Sequence, residues 1–169
     1  VYTLETMFSF GKFLSNFGEH IGVLGIGDDA AGKLMALKEF GNFNQEFYNH
    51  LSQYELKDSK QIFDWAPFEK IIGSKLAAKY RYLDFLRTVH DYMEEAYPKF
   101  FLKHAHPTNV ITYSGGIAQN VCINSKLKKH FPKIIIPPHC NDEGLTLGCV
   151  EFLRQLNNQP KFDNKNFPY

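Results

Sequence analysis

The 169-residue chain is 44% hydrophobic, with 16 Phe, which is enough for one packed core and excludes a disordered segment. Its 19 basic and 18 acidic residues leave a formal net charge of +1, so no field favours a nucleic acid or an anionic membrane surface. No uncharged apolar run is long enough to cross a bilayer, and residues 1–10 lack the basic-then-apolar order expected of a secretory leader.

In chain order, Thr3, Met7, Phe10, Leu14 and Phe17 recur at helical spacing and predict an amphipathic helix over 3–17. The glycine-rich stretch 18–27 reads as a loop. A second helix is predicted from Ala30 to a capping Gly41, and a third, capped by Asn42 or Asn44, to about Leu56. Pro67 suits the first turn of another short helix. The longest helix is predicted over 77–101, where Tyr82, Leu86, Val89, Met93, Ala96 and Phe100 step by four and three; Pro98 should kink or end it.

The pattern then changes. Residues 109–113 predict a strand, 118–130 a helix, 133–137 a second strand, and a last helix follows to about Leu156. Lys126, Lys128 and Lys129 read as a solvated helix face. Strands alternating with helices predict an α/β fold with a parallel strand pair and a right-handed crossover. Two strands do not make an independent parallel sheet, because such sheets are buried on both faces. Further strands are therefore expected from chain preceding Val1, and part of an apolar surface is expected to lie open. The tail 157–169, rich in Asn and Pro, reads as a linker toward a further domain. A first residue that is Val and not Met likewise leads us to expect an excerpt. Three cysteines, Cys122, Cys140 and Cys149, form no Cys-x-x-Cys pair and suit reduced thiols, so a cytoplasmic location is expected.

The loops after the two strands carry the candidate chemistry. In a parallel pair both strands end on one edge, where open α/β sheets bind ligands, and neighbouring strands lie about 5 Å apart. Ser114-Gly115-Gly116 and Asn141-Asp142 should therefore meet in one crevice. Glycines let a phosphate or ribose approach the backbone, and the following helix offers its positive end; a tight turn alone would also explain the pair. Asp142 reads equally as an N-cap or a solvated acid. His139 and Cys140 are adjacent and lack a second ligand pair, which argues against zinc; His104 and His106 read as surface residues. Lys33, after Asp28-Asp29-Ala30-Ala31-Gly32, could reach a phosphate or simply be solvated.

Three blocks now resemble one family. Ser114-Gly-Gly-Ile-Ala-Gln-Asn-Val-Cys-Ile-Asn124 and Pro138-His-Cys-Asn-Asp-Glu-Gly-Leu-Thr-Leu-Gly148 are similar to the GGVAxN and D-x-G-x-x-x-G signatures of the O-carbamoyltransferases. Gly32-Lys-Leu-Met-Ala-Leu-Lys-Glu-Phe-Gly41 resembles that family's upstream GKVMGLAPYG segment, although residues 42–80 carry little of the likeness. The resemblance implies part of a ribonuclease-H-like (actin-like ATPase) lobe over 1–156. It also implies carbamoyl transfer from carbamoyl phosphate, by way of ATP and a carbamoyl-adenylate, to a hydroxyl of a small sugar-like acceptor. It implies nucleotide contacts at Lys33, Ser114, Gly115, Gly116 and Asn120. Asp142 would ligate a divalent metal, iron or another, with two histidines.

The chain departs from the family twice. Ala31 stands where an acid often precedes the lysine, so Asp29 is the remaining candidate for a ribose contact. No His-x-x-x-His motif is present, so the histidine pair is expected in an upstream lobe, an adenylate-forming domain is expected downstream, and the chain alone is expected to be inactive. Two other readings stay open: a related actin-like transferase of tRNA modification or hydrogenase maturation, and an interaction module that keeps the fold without the chemistry.

Overall fold

The structure, a computed structural model, describes residues 29–52 and 82–161 together with Gly11, Leu14 and Gly18. These last three are helical, Gly11 and Leu14 within the span expected to be a helix and Gly18 in the stretch that the sequence assigned to a loop.

Helix α1 (Asp29–Leu37) continues as a 3-10 turn (Lys38–Phe40) that stops at Gly41. The Gly41 N–H bonds the Lys38 carbonyl at 3.0 Å, as a cap should, but its backbone is extended (φ −101°, ψ 159°) and not left-handed. Glycine is needed there because a Cβ would lie 1.9 Å from the Leu83 carbonyl oxygen on the long helix. Gly41→Ala should push the turn away from that helix and cost about 1–3 kcal/mol, as overpacking does. Urea unfolding checks this, and an unmoved midpoint would mean that the two backbones do not meet so closely.

Of the two candidate caps for α2 (Gln45–Leu51), Asn44 does the work: its Oδ1 accepts the Phe47 N–H at 2.8 Å. Its own N–H donates to Thr88 Oγ1 at 2.9 Å, which ties the cap to the long helix. The helix ends at Leu51, with Ser52 in a turn, earlier than the expected Leu56. The helix start expected at Pro67 and the beginning of the long helix lie outside the described residues.

That long helix, α3 (Tyr82–His104), runs through Pro98, so the proline does not end it as one reading held. Pro98 lacks the N–H that would bond the Glu94 carbonyl, yet it is buried and packing beyond it sustains the helix. Phe101, just after it, meets Tyr113 (ring centroids 5.4 Å apart) and Phe131 (6.1 Å). Leu86, Val89 and Met93 are buried as the spacing predicts, whereas Tyr82 is exposed; Phe85 is buried as well and stacks on Phe47 at 4.2 Å.

Strands β1 (Ile111–Thr112) and β2 (Ile134–Ile135) are shorter than predicted and pair in parallel, Ile111 beside Ile134 and Thr112 beside Ile135. Between them lie a 3-10 turn (Gly116–Gln119) and α4 (Val121–His130), so the helix expected from Ala118 starts three residues later. Lys126, Lys128 and Lys129 are exposed on it, as expected.

Helix α5 (Gly144–Leu156) buries none of its side chains. Leu145, Val150, Phe152, Leu153 and Leu156 are exposed on it, as are Val110 and Ile135 at the strand pair, so apolar side chains lie open in both places. The buried core instead joins Leu14, Leu34, Phe47 and Leu51 to the inner faces of α3 and α4 and to Ile134. The class is thus α/β, rich in helix, with one parallel pair among the described residues. No described helix is long and apolar enough to cross a membrane.

Candidate functional site

The parallel register brings both loops to one edge. The Tyr113 N–H donates to the Ile135 carbonyl at 2.9 Å, and two residues later the Gly115 N–H donates to the Cys140 carbonyl at 2.5 Å. The glycine loop is therefore hydrogen-bonded to the second loop two residues before Asp142. Ser114, Gly115 and Gly116 are all exposed there.

The two glycines differ in why they are glycine. Gly115 has φ +110° and ψ 165°, a conformation that side chains strain. Gly116 has no positive φ, and nothing lies within 4 Å of where its Cβ would be. Neither its backbone nor a described neighbour demands a missing side chain, so what it provides is open space over a backbone. Gly144 is the opposite case: a Cβ there would sit 2.1 Å from the His139 carbonyl oxygen, and that close approach folds the second loop.

Asn120 is buried, and its Oδ1 accepts the Cys122 and Ile123 N–H groups, both at 3.1 Å. It is the N-cap of α4, a structural task that the resemblance does not mention. Asn124 adds a second tie, its Nδ2 donating to the Ala118 carbonyl at 2.7 Å, so the start of α4 is fastened to the glycine loop from behind.

Asp142 is exposed, and no described residue hydrogen-bonds or ion-pairs with its carboxylate. Glu143, not Asp142, precedes α5, and no side chain caps that helix, so the N-cap reading of Asp142 falls. The Asp142 backbone carbonyl accepts the Leu145 N–H at 3.1 Å, which leaves its side chain available. Its neighbours do not complete a metal site. His139 is exposed and Cys140 buried, and no group of three His, Cys, Asp or Glu able to hold an ion occurs among the described residues. His104 and His106 are exposed, as read. Lys33 is exposed on α1, a helix that packs on the 3-10 turn after it and on α3. A ribose contact by Asp29 concerns a side chain outside the described set.

Sequence reasoning missed a buried polar cluster behind the loops. Lys38, 4% exposed, ion-pairs with Glu94 of α3, whose second oxygen lies 3.9 Å from Lys126 of α4. Burial works against the Lys38 charge, but the hydrogen bond and charge of Glu94, helped by Cys122, outweigh it and raise its pKa. On the outer side Glu39 meets Arg87 at 3.4 Å, and Arg87 holds Asp91 at 2.9 Å. His90 is fully buried one turn before Glu94, and no described residue partners either ring nitrogen. Burial, and secondarily the Lys38 charge, hold its pKa down at about 4. One signal could have found it, since His90 falls four residues after Leu86 on the buried stripe.

Residues 1–150 match the family model described as "Carbamoyltransferase N-terminus". A search of curated proteins returned no match.

Proposed function

This chain belongs to the carbamoyltransferase family, and from that premise we propose that its two joined loops form the nucleotide-contacting part of an O-carbamoyltransferase site. The reaction in this reading activates the carbamoyl group of carbamoyl phosphate with ATP as a carbamoyl-adenylate, then passes it to a hydroxyl of a small acceptor in the cytoplasm. A parallel pair with both loops on one edge supports part of a ribonuclease-H-like lobe, whose ligands bind at such an edge.

In this site the open backbone of Gly115 and Gly116 lets a phosphate or ribose lie against the chain. The start of α4 contributes the positive end of its dipole, and Asn120 holds that helix in place. The Ser114 hydroxyl is exposed and free to orient the bound group, and Lys33 supplies a positive charge from α1. Asp142 would give one oxygen to a divalent metal, with imidazole ligands from outside the described residues; such an ion would polarise an acyl oxygen and offset phosphate charge.

The observation that carries the reading is Gly116, whose missing side chain leaves room that no described residue fills. Gly116→Val in the full-length enzyme should weaken ATP or carbamoyl-adenylate binding about tenfold or more while leaving the melting temperature unchanged, because a β-branched side chain would occupy the ligand's approach. Calorimetric titration with ATP measures this. An unchanged dissociation constant in the folded variant rules out a nucleotide loop here.

A further inference from the structure

Lys38 lies at the junction of three elements. Its turn is held against α3 by Gly41, its ammonium enters the interior to meet Glu94, and Glu94 reaches on to Lys126 of α4. The side chains of Lys38 and Glu94 are only 5% and 12% exposed, so water screens this contact little. Helix α4 in turn begins at the glycine loop, fastened to it by the Asn120 cap and by Asn124 on the Ala118 carbonyl. Polar contacts thus link the turn after α1, through Glu94, to Lys126 on α4, the helix that starts at the glycine loop.

A buried ion pair is weak evidence for a role in stability. What the pair does supply is a link: it joins the turn after α1 to α3, and the second oxygen of Glu94 lies 3.9 Å from Lys126 on α4. We propose that Lys38 is a positioning residue, acting through Glu94 to set the start of α4 and with it the nucleotide loop. The proposal rests on the carbamoyltransferase reading of that loop.

The test uses the full-length enzyme with Lys38→Met, Glu94→Gln and the double variant, measuring KM for ATP, kcat and melting temperature. Each single variant should raise KM about tenfold and change kcat by no more than about twofold, the signature of lost ground-state positioning. The double variant should show no larger rise than the worse single one, because both residues act through one contact. If Lys38→Met folds poorly, Glu94→Gln still gives the KM readout, since it keeps the side-chain shape and a hydrogen-bonding oxygen. A lowered melting temperature with unchanged KM overturns the positioning role, and so does a double variant whose KM rise is the product of the two. Gly116→Val, run alongside, separates the layers. Weakened ATP binding there with an unchanged KM in Lys38→Met overturns the Lys38 role alone. Unchanged binding in Gly116→Val overturns the nucleotide site beneath it.

Discussion

Asp142→Asn should strip most of the bound divalent metal from the full-length enzyme and lower carbamoyl transfer by about 100-fold or more, with little change in melting temperature. The separation of activity from stability follows from the side chain's surroundings. Its carboxylate is exposed, caps no helix and pairs with no described residue, so the fold loses nothing when the charge is removed. A carboxamide keeps the shape and one oxygen but loses the negative charge that holds a hard or borderline cation. Glu143 provides the control: it is equally exposed and one residue away, so Glu143→Gln tests whether any acid in the loop would serve. Elemental analysis and a carbamoyl-transfer assay on both variants decide the matter. Full metal occupancy in Asp142→Asn, or equal losses in both, would remove Asp142 from the metal site.

What the sequence disclosed was mostly local. The apolar runs around Ile111 and Ile134, each followed by Gly, Pro or Asn, gave two strands and their parallel pairing, and so placed the glycine loop beside the Asp142 loop. Asn44 was legible as a cap because it immediately precedes a helix. The misreadings arose where distant chain decides. Gly41 reads as a cap and is one, yet its identity is imposed by the carbonyl of Leu83, 42 positions along the chain. Pro98 reads as a kink or an end, and it is not an end: the helix continues to Phe101, which packs on Tyr113 and Phe131. Lys38 and Glu94, 56 residues apart, share no periodicity, and Lys38 in isolation looks like one more solvated lysine. Helix α5 shows the converse: its sequence is apolar enough for a core, and only the fold reveals that none of its side chains is covered by the described residues.

His90 should make the protein lose stability as acid is added, beginning well above the carboxylate range. Its folded pKa of about 4 lies below the ordinary value of 6.5, owing first to burial and then to the Lys38 ammonium. The native state therefore holds the ring neutral, while an unfolded chain takes up the proton once the pH falls below about 6.5. The unfolded state then binds more protons, so stability falls with pH through the window from about 6.5 down to about 4. With a displacement of roughly 2.5 units and about 1.36 kcal/mol per unit, the loss attributable to His90 approaches about 3 kcal/mol by pH 4. The charge that acts on the ring is that of Lys38 on the 3-10 turn, which is itself paired with Glu94 one turn along the helix. Acid acts on the rest of the protein as well, so the measurement is a difference. His90→Phe removes the titrating ring and two unpartnered buried nitrogens while filling similar space. Urea unfolding of both proteins at pH 7, 6, 5 and 4 should give curves that diverge steadily, with the phenylalanine variant gaining about 3 kcal/mol on the parent over that range. Parallel curves would mean that His90 is already charged in the fold, or has found a partner that keeps its pKa ordinary.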